Sequence, residues 1–196
     1  MPTTTLRTLN GLDEKPASLA DSALILIDYQ NTYVRGVMEL EGWQEALDAA
    51  ADLLARARAA GATVIHVIND GGEGTPYDIR AEIGQIHPSV APAEGERVVV
   101  KTVPDAFVGT ELGELLEAAG HQDVVIAGFM THMCVTFTTA GAFLRGHRPT
   151  VVAAASGTRP LPSAGTELTA AQVHRSALAT IGDLYGVVVE SPADLA

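Results

Sequence analysis

Cys134 is the only cysteine among 196 residues, and the stretch from Asp123 to Gly146 around it reads DVVIAGFMTHMCVTFTTAGAFLRG. A thiol is a candidate nucleophile, but its reference pKa of about 8.5 leaves it mostly protonated at neutral pH. Its position offers help. The apolar run Val124–Ala127 reads as a buried strand, Gly128 ends it, and from Met133 the residues Phe137, Ala140 and Phe143–Leu144 recur at helical spacing up to Gly146. Cys134 is therefore expected at the head of a helix, where unpaired N–H groups and the positive dipole end favour a thiolate. Such a thiolate predicts rapid labelling by thiol alkylators. The Cys134 N–H is also a candidate donor to a developing oxyanion.

Two further residues of useful chemistry close apolar runs of their own. Asp28 follows ALILI (residues 23–27), and Lys101 follows RVVV (residues 97–100). A carboxylate there is suited to taking the thiol proton and returning it to a leaving amine, as base and then acid. An ammonium near the sulfur stabilises its anion. The three together permit acyl transfer through a thioester, ending in hydrolysis.

The elements that must bring them together alternate. Strands are predicted at Ala23–Ile27, Thr63–Ile68, Arg97–Val100, Val124–Ala127, Thr150–Ala154 and Val187–Val189, and helices at Trp43–Ala60, Leu112–Ala119, from Met133, and at Ala170–Ile181. This alternation predicts an α/β class chain, a three-layer Rossmann-like fold with a six-stranded, mainly parallel sheet flanked by helices. Right-handed crossovers then place the strand C-terminal ends along one edge, where sites form at the reversal of strand order. Residues 1–20 read as an N-terminal arm, packed on a neighbouring subunit, and 21–196 as a single domain. The loops 69–96 and 155–169 are long enough to shape a pocket.

Composition narrows the function. The formal charge of −12 argues against nucleic acid and anionic membranes as partners. No apolar run approaches a membrane span, and no secretory signal pattern opens the chain. One cysteine allows no internal disulfide and fits a cytoplasmic location. The first strand ends in Asp28-Tyr29-Gln30, without the glycine turn that a dinucleotide pyrophosphate needs.

Three segments carry a resemblance: ILIDYQN (25–31), VVVKTVPDAF (98–107) and GFMTHMCV (128–135). In this order they resemble the isochorismatase-like cysteine hydrolases, a superfamily that includes nicotinamidases, and within it the group containing streptothricin-hydrolase-like enzymes. The resemblance implies an Asp28, Lys101, Cys134 triad. It also implies a cis peptide between Phe129 and Met130 that makes the Met130 N–H an oxyanion-hole donor beside that of Cys134. Gln30, Tyr33, Phe107, Thr131, His132 and Phe137 are the expected pocket residues, with Gln30 and Thr131 orienting the triad. The implied activity is hydrolysis of a C–N bond in a small non-peptide amide or lactam. The alternatives are a nicotinamidase proper and a catalytically silent ligand-binding or scaffold member. Where nicotinamidases carry a metal-binding Asp-x-His segment this chain reads Ile68-Asn69-Asp70-Gly71-Gly72; no metal and no other cofactor is expected. Apolar content and the resemblance imply a homodimer or homotetramer.

Overall fold

A computed structural model describes residues 3–196. Its core is a six-stranded, wholly parallel sheet of β1 (Ser22–Ile27), β2 (Thr63–Asn69), β3 (Arg97–Lys101), β4 (Asp123–Gly128), β5 (Arg148–Val152) and, last in the chain, Val187–Val189, which is β8. Their order across the sheet is β3-β2-β1-β4-β5-β8. The direction of winding therefore reverses between β1 and β4, the two central strands. Between β5 and β8 the chain forms a small antiparallel hairpin, β6 (Leu161–Ser163) and β7 (Thr166–Leu168).

Alternation along each strand sorts the core into two layers. Leu24 and Leu26 of β1, with Val64, Val125, Ala127 and Val152, face the helix α2 (Trp43–Ala60), which comes after the short α1 (Leu6–Leu9). Its buried stripe of Ala46, Leu47, Ala50, Leu53, Leu54 and Ala57 has the spacing of a single helix face. Ala23, Ile25 and Ile27 point the other way. With Val67, Val99, Ile126 and Val151 they meet α3 (Leu112–Ala119) through Leu112 and Leu116, and α4 (Thr136–Leu144) through Ala142. The last helix, α5 (Ala170–Thr180), opens on a capping box from Thr169 to Gln172. Every residue of β1 is buried, as expected of a strand covered on both faces.

One glycine decides the geometry of the sheet centre. Gly128 has φ +152°, and a side chain there would put its Cβ 2.1 Å from the Ile27 carbonyl oxygen. Only glycine lets the ends of β1 and β4 approach so closely.

Residues of the N-terminal arm contact the domain they precede. Arg7 is buried and donates to the Leu184 and Asp13 carbonyls, the Leu6 N–H bonds Asp183 Oδ1, and the Ala17 N–H bonds Thr150 Oγ1. The arm thus makes these contacts with its own chain; residues 1 and 2 of it lie outside the described residues.

Far from the site, Glu96 ties α2 to the start of β3. Its carboxylate takes two 2.8 Å bonds from Arg58 and another from the Ala93 N–H, and lies 2.9 Å from buried His66 Nε2. The Arg58 bonds hold it down at about 2, and burial holds His66 below its usual 6.5. Both groups bind protons more readily in the unfolded chain, so this cluster stabilises the fold above pH 6.5 and loses that contribution in acid, first near 6.5 and then between 4.5 and about 2. Glu96→Gln is expected to lower stability by about 1–3 kcal/mol at pH 7, measured by urea unfolding, with a shallower decline in acid than the parent.

Candidate active site

Three strand ends deliver the three reactive side chains to the reversal point. Asp28 is the first residue past β1. It turns the chain with φ 54°, a left-handed conformation that aspartate tolerates better than most residues, while its N–H stays bonded to Val67 O at 2.8 Å. Lys101 is the last residue of β3, paired in register with Asn69 at the end of β2. Cys134 lies in a π-helical turn, Thr131–Val135, between β4 and α4.

Lys101 reaches past β2 to join the others. Its Nζ is 2.8 Å from Asp28 Oδ2, 3.3 Å from Cys134 Sγ and 3.3 Å from Asn69 Oδ1. The side chains of Asp28 and Lys101 are wholly inaccessible to solvent. At 2.8 Å the two side chains form a buried ion pair. Oδ1 accepts no hydrogen bond among the described residues. The side chains of Asp28, Lys101 and Cys134, expected from the sequence at one sheet edge, thus meet there.

The protonation pattern differs from the one expected. Burial, then the Asp28 charge, push the Cys134 thiol up to about 12, against a smaller lowering by Lys101. Burial raises Asp28 above the usual 3.8, opposed by Lys101 and Cys134. Burial alone would lower Lys101, but the Asp28 carboxylate beside it and its contact with Cys134 outweigh that and hold it above 10.5. The resting sulfur is therefore a thiol, not the thiolate expected at a helix head, because desolvation and a neighbouring carboxylate exceed the ammonium. Labelling of Cys134 by iodoacetamide is accordingly expected to show no thiolate titration at or below about pH 8.5. A titration midpoint below that value would show that the anion is held after all.

Two N–H groups near the sulfur are left without an acceptor outside its turn. The Phe129–Met130 peptide is cis, and the Met130 N–H donates to no acceptor among the described residues. The Met133 and Val135 N–H groups, on either side of Cys134, both bond Met130 O, at 3.0 and 3.3 Å. That of Cys134 is committed to nothing outside the turn.

A cleft of 180 Å³ opens onto Cys134, lined by Tyr33, Asn69, Tyr77, Thr102–Pro104, Met130 and Met133. Of the expected pocket residues only Tyr33 lies in its wall. Gln30 is buried and spent on the backbone, donating to Asn69 O and Gly84 O and accepting from the Asn69 N–H. It therefore fixes the residue that contacts Lys101 instead of lining the cleft. Phe107 is turned to the far side of α4, with the Arg145 guanidinium 4.6 Å over its ring and His147 stacked beside it. Phe137 is half exposed. Thr131 is fully buried and holds the Gly157 carbonyl, and His132 bonds Thr158 Oγ1 at 2.6 Å, in a separate groove beside the hairpin. Tyr77 was not legible in advance, being one residue in a long loop. Asn69 was also missed, placed in the loop 69–96, whereas β2 runs one residue further and ends on it, at the same edge as Asp28.

Arg159, in the loop after β5, adds charge near this wall. It bears on both Tyr77 and His132, and its buried Nε has no partner among the described residues. Among the described residues no three His, Cys, Asp or Glu side chains gather in a metal-holding group; His66 faces Glu96, Asp70 bonds Arg80, and His87 bonds Ser89.

The model of the isochorismatase domain matches residues 22–189. The chain belongs to the isochorismatase family. It is 34% identical, over 94% of its length and 96% of the other's, to the secreted isochorismatase effector Isc1 of Verticillium dahliae. It is 36% identical to a streptothricin hydrolase of Streptomyces noursei, over 87% of this chain and 69% of that protein. The crystal structure of an isochorismatase from Pseudomonas putida superposes with a TM-score of 0.95 at 39% identity, covering 100% of both chains. Other isochorismatase relatives are named as amidohydrolases of maleamate and of ureidoacrylate. No helix among the described residues is long and apolar enough to cross a membrane. A relative of the isochorismatase family that is named as secreted means that kinship does not fix the compartment expected from the lone cysteine.

Proposed function

We propose that the chain is a cysteine hydrolase that cleaves a C–N bond of a small non-peptide amide or lactam through a thioester on Cys134. The observation that carries this reading is the meeting of Lys101 Nζ with Asp28 Oδ2 at 2.8 Å and with Cys134 Sγ at 3.3 Å, at the mouth of a cleft. Its support in kinship is the set of relatives named for hydrolysis of amides.

Each group has one task. As Sγ attacks the carbonyl carbon, Asp28 takes the thiol proton; the neutral resting thiol makes this base necessary. Lys101 balances the anionic charge that passes between carboxylate and sulfur in a site closed to water. The N–H groups of Met130 and Cys134 meet the oxyanion. Collapse breaks the C–N bond, and the amine leaves with the proton held by Asp28, or stays tethered if the substrate is a lactam. Asp28 then deprotonates a water that attacks the thioester, and the sulfur recovers its proton as the acid departs. The cleft holds only a small acyl group: 180 Å³ is roughly six waters' share of the liquid. The same proposal includes a small-molecule substrate without nucleic acid or membrane, a cytoplasmic site of action, and self-association, read by light scattering as two or four times 20.4 kDa.

The test is release of ammonia, or ring opening, from a panel of anionic, neutral and cationic amides and lactams that includes nicotinamide. Turnover of at least one that disappears in Cys134→Ala supports the reading. A correctly folded protein silent on the whole panel would mark it as a ligand-binding member instead.

A further inference from the structure

The turn that carries Cys134 is held from the far end of the chain by a residue that the mechanism above does not use. Thr131 comes directly after Met130 and is completely buried. Its N–H bonds Gly157 O at 2.8 Å, and its Oγ1 donates to the same carbonyl at 3.1 Å. A hydroxyl has a single proton. With that proton on Gly157 O, the contact of 2.8 Å between Thr131 Oγ1 and His174 Nδ1 requires that the imidazole be the donor. His174 stands on α5, 43 residues from Thr131 in sequence, and half-exposed beside a groove that also carries Glu41, Glu45 and Glu190.

From this geometry we infer that His174 is a positioning residue for the hydrolysis proposed above, on which the inference rests. Its Nδ1–H fixes the Thr131 hydroxyl, the hydroxyl fixes Gly157, and the chain from His174 to Gly157 sets where the Met130 and Cys134 N–H groups point. The donor survives protonation of the ring, because both nitrogens of an imidazolium carry protons. Burial lowers the pKa of His174, partly offset by Glu190, so the neutral ring is the form present at pH 7, with its proton on Nδ1 and Nε2 bare. Oxyanion donors act mainly on the transition state, so losing their alignment reduces kcat and leaves substrate affinity in place.

The experiment compares His174→Ala, His174→Asn and His174→Gln on an amide that the parent hydrolyses. Asparagine places an amide N–H close to where Nδ1 stood; glutamine carries it one bond further. His174→Ala is expected to lose about tenfold to a hundredfold in kcat with KM within about twofold, and His174→Asn to recover most of that loss while His174→Gln does not. Parental kcat in His174→Ala, or equal behaviour of the asparagine and glutamine variants, overturns the inference; the second comparison stands even if the alanine variant fails to fold. A second readout needs no substrate: the ¹⁵N shifts of His174 at pH 7–8 are expected to show a protonated Nδ1 and a bare Nε2. The opposite tautomer overturns the inference by itself. A protein with the expected tautomer but no amidase activity would sink the proposed function and leave this hydrogen bond in place.

Discussion

Replacing Cys134 by alanine is expected to lower amide turnover by at least about 10⁴-fold, because the covalent route disappears and only binding and oxyanion stabilisation remain. The fold should survive, since Cys134 is small and its replacement by alanine removes only one atom from the core. Asp28→Asn should cost nearly as much and not add to it, because the two residues act as one unit. The thiol at about 12 explains why: without a base, attack must wait for a rare thiolate. The same arrangement fixes the pH profile. Turnover needs the carboxylate, so its acid limb lies above the ordinary 3.8, and it needs the ammonium, so no alkaline loss from Lys101 is due below 10.5. A stopped assay across pH 4–11 reads both limbs, and an acid limb at or below 3.8 would contradict the burial of Asp28.

Lys101→Met is the second large effect, and it falls on stability as well as on rate. It leaves a fully inaccessible carboxylate facing no charge, a change that costs about 3–5 kcal/mol when a buried pair loses one partner. Asp28 escapes part of that cost by taking up a proton. Its folded pKa, already raised, rises further in the variant, so the folded state binds more protons than the unfolded one and stability declines as pH rises. The deficit relative to the parent should therefore be smaller at pH 5 than at pH 8 in urea unfolding. Adding Asp28→Asn should recover much of it, since a neutral amide is left in place of an orphaned charge. An equal deficit at both pH values would show that Asp28 does not sense Lys101.

What the amino-acid sequence disclosed was whatever depends on short-range pattern. The runs ALILI and VVIA mark strands closed on both faces, RVVV marks an edge strand that buries Val99 and exposes Val98 and Val100, and the residues that end them had to reach one sheet edge once the crossovers were right-handed. Asp28, Lys101 and Cys134 were legible for that reason. So was the helix Trp43–Ala60, whose expected bounds coincide with those found. The cleft wall was not. Helical spacing counted from Met133 assumed a uniform helix, whereas the π-helical turn Thr131–Val135 winds an extra residue into the chain and rotates the residues after it; Phe137 ends up facing solvent. Phe107 was misread because its direction is set by Asp105, whose Oδ1 takes the Phe107 N–H at 2.9 Å, and by Arg145, just past the end of α4. The hairpin of β6 and β7 hid behind Pro160 and Pro162, and its turn uses Ala164 at φ 46° with Gly165 at φ 82°, a pair that does not advertise a hairpin as Asn-Gly would. The bond between Thr131 and His174 spans 43 positions, beyond any local rule.

The most direct measurement is mass spectrometry of protein mixed with a turned-over amide and quenched in acid within milliseconds. The expected result is an added acyl mass, absent in Cys134→Ala, that maps to the peptide containing Cys134 and disappears as product accumulates. Full amide turnover by the parent with no adduct at any time, together with an active Cys134→Ala protein, would contradict covalent catalysis at this sulfur.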